Sequence, residues 1–254
     1  GVSHCYVLNL RRRPERLERT RVRLETHGVT RWSAFYGEDG ASASCQKEFK
    51  AYQRTAREHK DKRRIPSAGS FAILKSMRDV ILDAKNHAYD NFVVFQDDVL
   101  LCDDFARKYV EFTRATDAMR EWKLVYYGCT QHQWPDKTHA FKVAGAGGWY
   151  YPQGTADGAF AVRIHSSAYD FLIAETDKMR LPFDSGPLCE LQRAFPEQCV
   201  AAWPYLVVAD VRTSDCRPGR SQSAFATKCK WNMDDFETSR ALGDAPRLKN
   251  DADI

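Results

Sequence analysis

The first apolar run, Cys5-Tyr6-Val7-Leu8-Asn9-Leu10, is short and β-prone. An arginine triplet and Pro14 follow, a place suited to a first helical turn. From Glu15, Leu17, Val22 and Leu24 recur at roughly helical spacing until Gly28, a stop signal. Residues 29–36 read as a second strand closed by Gly37, so the chain opens as strand, helix, strand. Residues 38–64 are polar and lysine-rich, a partly helical insertion or mobile loop. After Pro66, Phe71, Leu74, Met77, Ile81 and Leu82 fall near one face and predict a helix to about Lys85.

That helix delivers the chain to Asn91-Phe92-Val93-Val94-Phe95, an unbroken apolar run typical of a central strand buried on both faces. Beyond it the pattern predicts a helix from about Asp103 and a buried strand at 123–127 ending in Gly128. A glycine- and aromatic-rich hairpin or flap follows at 143–151, then a strand at 159–164, helices at 165–176 and 188–195, and a late strand at 201–208 broken by Pro204. No repeat or linker divides the chain. The expected architecture is α/β: one domain over residues 1–217 with a mostly parallel central sheet flanked by helices. Residues 218–254 are expected as a polar extension packed on that domain or trailing from it.

Composition narrows the picture. With 43% hydrophobic and 28% charged residues, the 254-residue chain can fill a core, which excludes disorder and collagen-like repetition. No apolar run approaches the ~20 residues of a bilayer span, so a soluble chain without a transmembrane segment is expected. The compartment stays open between cytoplasm and ER or Golgi lumen. Eight cysteines lack any C-x-x-C spacing, which argues against a zinc knuckle or thioredoxin-like site. Those between Cys189 and Cys229 leave both disulfides and buried thiols open. The net charge of +4 hides an asymmetry: residues 1–64 hold 16 Lys and Arg against 8 Asp and Glu, a local +8, leaving −4 for the rest. A basic first quarter can attract phosphate-bearing partners.

In open α/β sheets ligands sit beyond the carboxyl ends of the strands, where Gln96-Asp97-Asp98 falls. Two adjacent carboxylates there repel, and burying them is costly without a cation. Mn²⁺ or Mg²⁺ bridged to substrate phosphates relieves that cost, while helix capping by one carboxylate is the structural alternative. Leu8, Asn9 and Leu10 end the first strand, so their backbone can meet a nucleobase. Arg11, Arg13 or Arg16 can approach phosphates. Asp184, ahead of a predicted helix, suits either an N-cap or a general base, with Asp157 and Glu190 as further candidate bases and Asp215 as an added donor or metal contact. His132, His139 and His165 have no paired spacing and read as surface groups. Trp134, Trp149, Tyr150 and Tyr151 around Gly145, Gly147 and Gly148 suit either sugar stacking or a packed hairpin.

Three segments in this order resemble glycosyltransferase family 25: Val7-Leu8-Asn9-Leu10-Arg11-Arg12-Arg13-Pro14-Glu15-Arg16, Val93-Val94-Phe95-Gln96-Asp97-Asp98-Val99 and Pro182-Phe183-Asp184. Gly154-Thr155-Ala156-Asp157-Gly158-Ala159-Phe160 and Thr213-Ser214-Asp215-Cys216 extend the resemblance, which spans residues 6–216. It implies a GT-A fold, a nucleotide-sugar donor, usually a UDP-sugar, and inverting transfer to a hydroxyl of a glycan, glycolipid or glycoprotein. Asp98 matches the last acidic position of the metal-holding motif and Asp97 the middle one. Gln96 stands where a glutamate is common, and Ala68-Gly69-Ser70-Phe71 lacks the family's Ser-His. These departures motivate the alternative of a noncatalytic nucleotide-sugar or glycan binder. Nucleic-acid binding is not expected, because the arginines alternate with glutamates and no recognition motif is present.

Overall fold

A computed structural model of the chain describes residues 1–58, 65–133, 142–144, 147–215 and 219–237. It opens with β1 (His4–Asn9), α1 (Pro14–Thr26), β2 (Ser33–Tyr36), α2 (Ala43–Glu58) and α3 (Ala68–Asn86). β3 (Asn91–Gln96), the short β4 (Val99–Leu101), α4 (Phe105–Asp117) and β5 (Leu124–Gln131) follow. The hairpin of β6 (Lys142–Ala144) and β7 (Gly147–Tyr150) leads to β8 (Ala156–His165) and α5 (Tyr169–Asp177). Last come α6 (Cys189–Ala194), β9 (Cys199–Trp203), β10 (Val207–Ala209) and α7 (Gln222–Cys229).

Among the described residues, eight strands form one sheet in the order β2-β1-β3-β8-β5-β9-β7-β6, and β4 pairs antiparallel with β10. Strands β2, β1, β3, β5, β9 and β6 run one way; β8 and β7 run against them. The expected α/β class with a mostly parallel sheet is what forms, with β8 inserted antiparallel between β3 and β5. Phe92, Val93, Val94 and Phe95 are fully buried at its centre, as their unbroken apolar run requires.

Helix α1 departs from the expected apolar stripe. Its buried face is Arg16, Thr20, Arg23 and Leu24, spaced i, i+4, i+7, i+8, so a largely polar stripe faces inward. The polar stretch after residue 38 is mainly the helix α2, and the segment before Ser33 is not strand. Strand β5 runs on through Gly128 to Gln131 because Gly128 lets β10 cross it: a Cβ there would lie 1.7 Å from the Val207 carbonyl oxygen. Gly128→Ala is therefore expected to destabilise the fold by about 3 kcal/mol, since the obstacle is backbone and cannot rotate away. Urea unfolding checks this; an unchanged midpoint would contradict it.

The hairpin aromatics do not form a flap over a ligand. Tyr150 is fully buried and bonds to Gln131 and Tyr205, and Trp149 and Tyr151 pack at the sheet's far edge; Trp134 and Gly145 lie outside the described residues. Residues 219–237 are not peripheral. Trp231 is buried and donates its Nε1–H to the Cys129 carbonyl at 3.0 Å, and Phe236 bridges Cys102. The cysteines described are buried free thiols, with Cys216 outside the described residues.

Candidate active site

Strands β1 and β3 are parallel neighbours, with Leu8 opposite Gln96, so both release their chains at the same edge. Asn9 leaves β1 and donates its side-chain amide to Asp97 at 2.7 Å. The polar face of α1 then grips the turn after β3. Thr20 donates to the Asp97 carbonyl at 3.0 Å and Arg23 to the Val99 carbonyl at 3.1 Å. Arg16, buried, reaches Asp97 at 2.5 Å and Asp98 at 3.2 Å through one nitrogen and Asp215 at 2.9 Å through the other. Arg13 and Arg12 also reach Asp215, at 2.7 and 3.4 Å, while pairing with Glu15 and Asp39 respectively, each at 2.7 Å.

Counting charges in this linked cluster sets Arg12, Arg13 and Arg16 against Glu15, Asp39, Asp97, Asp98 and Asp215, formally −2. The basic surplus of the first quarter is thus taken up by acids, several of them from later in the chain. Burial pushes the Asp98 carboxyl up to about 7 despite the pull of Arg16, and raises Asp97 for the same reason. The Asp98 Oδ1 and Asn9 Oδ1 atoms are buried and accept no hydrogen bond. Among the described residues no three His, Cys, Asp or Glu side chains converge as a ready metal cluster. The residues nonetheless fit a divalent cation: an oxygen of Asp98 is without a donor, and two positive charges would bring the cluster to neutrality.

Two cavities meet here. The larger, about 410 Å³, is lined by the Leu8–Leu10 backbone end of β1, Arg12, Arg16, Asp97, Asp98 and Asp215. Its outer wall is the 37–41 turn against the start of α3, where a Cβ on Gly40 would lie 2.7 Å from Gly69 Cα. The smaller, about 230 Å³, holds Asp157, Asp184, His132, Phe160, Lys228 and Trp231. Gln96, Asp98, Ile73 and Ser214 belong to both walls. The larger falls within the roughly 300–1,000 Å³ usual for ligand pockets.

The structure thus brings together Leu8, Asn9, Leu10, Arg16, Gln96, Asp97, Asp98 and Asp215 around one cavity and Asp157 and Asp184 around its neighbour. Three expected residues line neither cavity: Arg11, Glu190 and Arg13, which Glu15 and Asp215 hold. Arg11 lies over the Tyr36 ring at 4.3 Å, turned outward because its neighbours in the triplet face the acids. Glu190 pairs with Arg193 at 2.6 Å on the exposed side of α6. Asp184 accepts backbone N–H groups on both oxygens, from Ser185 at 2.8 Å and Gly158 at 3.3 Å, which ties its turn to β8.

Sequence reasoning missed Arg12, whose triplet gave no sign of which member turns inward. It also missed His132, which is no isolated surface group: its Nε2 meets Asp157 Oδ2 at 2.9 Å. The Thr130-Gln131-His132 continuation of a buried strand was the available signal. His165 caps a turn through Ser167, as a structural histidine does, and His139 lies outside the described residues.

No family model matches the chain, and no curated protein matches it. Among solved structures, one that matches is the crystal structure of mannose-1-phosphate geranyltransferase from Thermus thermophilus. The two share 12% identity over 80% of this chain and 73% of that one, with a TM-score of 0.36. That likeness is too loose to carry a functional conclusion, so function rests on the chemistry of the paired cavities.

Proposed function

We propose that the chain transfers a sugar from a nucleotide-sugar donor, by its family resemblance a UDP-sugar, to a hydroxyl of a glycan, glycolipid or glycoprotein, with inversion. The observation that supports this best is the junction of two cavities, each with charged side chains in its wall, at Asp98 and Gln96, past the end of a central strand. A transferase must hold two substrates side by side, and this edge offers two compartments with a shared wall. The larger takes the nucleoside diphosphate, with the β1 end meeting the base; the smaller takes the acceptor.

Asp98 would hold a Mn²⁺ or Mg²⁺ ion through its unpartnered oxygen, with Asp97 beside it. Such an ion, when bound, offsets charge on the leaving diphosphate. Arg16 holds both carboxylates in place, and Arg12, on the cavity wall, carries positive charge available to phosphate oxygens once Asp215 yields. On the acceptor side the hydroxyl must lose a proton as it attacks, and Asp157, Asp184 and His132 line that wall.

Thermal-shift screening of UDP-sugars tests the reading. A ligand at 100 times its Kd stabilises by about 2.7 kcal/mol, which raises the melting temperature of a chain this size by roughly 5–10 °C. The rise is expected with UDP-galactose or UDP-glucose plus Mn²⁺ and is expected to shrink with EDTA. No shift with any UDP-sugar in Mn²⁺ would sink the proposal. Binding with no release of UDP, even with acceptor glycans, would instead establish a noncatalytic binder.

A further inference from the structure

We propose that His132, oriented by Asp157, is the group that takes the proton from the attacking hydroxyl; this rests on the transferase reading above and goes beyond it. The His132 Nε2 lies 2.9 Å from Asp157 Oδ2. A carboxylate only accepts, so the neutral imidazole carries its hydrogen on Nε2 and leaves a lone pair on Nδ1. Among the described residues no hydrogen-bond partner takes that Nδ1. The main chain at this position is tied to the start of β8, since the His132 N–H donates to the Thr155 carbonyl at 3.2 Å. The other oxygen of Asp157 lies 3.5 Å from the Cys189 sulfur, whose single hydrogen it shares with the Ala156 and Asp184 carbonyls. A base whose tautomer and orientation are set by a carboxylate is the arrangement that general-base chemistry uses.

The two carboxylates compare poorly with it. Asp157 is already engaged by His132, and Asp184 already accepts two backbone N–H groups. The remaining charged groups facing this space are Asp98, which the proposed cation would engage, and Lys228 and Arg220, whose charged forms carry no lone pair to take a proton. In the step, the hydroxyl oxygen bonds to the anomeric carbon, and that carbon's bond to the diphosphate oxygen breaks. The electron pair leaves with the nucleoside diphosphate, and the hydroxyl proton passes to His132 Nδ1.

The test needs no knowledge of the natural acceptor, because water can serve. UDP release from UDP-galactose and UDP-glucose in Mn²⁺ is followed between pH 5 and 9 for the wild-type chain, His132→Gln, Asp157→Asn and Asp184→Asn. His132→Gln is expected to lose 10²–10⁴-fold in kcat, the usual worth of a general base, with KM for the donor little changed. With Mn²⁺ and donor saturating at every pH, so that Asp98 stays ionised in the complex, the acidic limb of its kcat profile is expected to disappear, while Asp184→Asn keeps that limb. Asp157→Asn, which no longer dictates the tautomer, is expected to lower kcat by at least 10-fold at unchanged KM. Wild-type turnover with a normal kcat and acidic limb in His132→Gln would overturn this proposal and leave the transferase reading standing. A limb lost only in Asp184→Asn would assign the base to Asp184. No turnover or binding by the wild-type chain would overturn both readings. Circular dichroism guards against misfolding, and His132, at the rim of its cavity, is a site where folding should survive.

Discussion

Arg16→Leu is expected to lower the stability of the unliganded chain by about 3–5 kcal/mol, more than any other single change to this site. The side chain is buried and its guanidinium contacts Asp97, Asp98 and Asp215. Leucine fills part of the volume but leaves two adjacent carboxylates with no guanidinium between them, and removing one partner of a buried ionic cluster costs more than the cluster was worth. The pH dependence has a definite sign. Burial raises the folded-state Asp98 carboxyl to about 7, above its unfolded value near 4, so the folded chain binds the extra proton between those limits. Stability therefore falls as pH rises from about 4 to about 7. Because Arg16 pulls that carboxyl down, its loss moves the upper limit higher and deepens the fall. Urea unfolding in EDTA at pH 5 and pH 8 reads both effects. A variant equally stable at the two pH values, or within 1 kcal/mol of wild type at pH 8, would refute the account.

The sheet was legible in the sequence where burial writes an unbroken apolar run. Phe92–Phe95 announced the central strand, and the α3 face announced its helix. Legibility failed where the buried surface is polar. Helix α1 turns Arg16, Thr20 and Arg23 inward, and hydropathy reads such residues as solvent-facing. The compensation that makes this burial tolerable comes from Asp97, Asp98 and Asp215, far away in sequence. It becomes visible only once β1 and β3 lie side by side. The same holds for the smaller cavity. Asp157 and Asp184 were recognisable one at a time, but their neighbours His132, Lys228 and Trp231 come from the end of β5 and from a segment that reads as a polar tail. Trp231 within that polar stretch was the sign that it docks, since a large aromatic is rarely left in water when a core is within reach. Glu190 shows the opposite error. It stands in a motif-rich region and has the right chemistry, yet α6 turns it outward to Arg193.

Asp98→Asn is expected to abolish the Mn²⁺-dependent part of donor binding and to cut turnover by at least 10³-fold, while leaving the unliganded protein as stable as wild type or more so. The two effects have one cause. A carboxylate that burial raises to about 7 is a group the fold would be better off without at pH 8, by about 1.4 kcal/mol for each unit of elevation. Asparagine keeps the shape, removes the charge and still offers an oxygen to Arg16, so the folding cost disappears. The cation's hold disappears with it, because a neutral amide binds a hard divalent ion far more weakly than a carboxylate. Asp97 cannot take over, being already engaged by Arg16 and Asn9 at 2.5 and 2.7 Å. A residue kept at the expense of stability is what a ligand site requires, and a purely structural residue shows the reverse, a variant that melts earlier. Differential scanning fluorimetry with and without UDP-galactose and Mn²⁺ separates the cases in one plate. An Asp98→Asn variant that melts well below wild type, yet still gains the full ligand shift, would place the cation and the diphosphate elsewhere and make the acidic turn after β3 a structural clasp for α1.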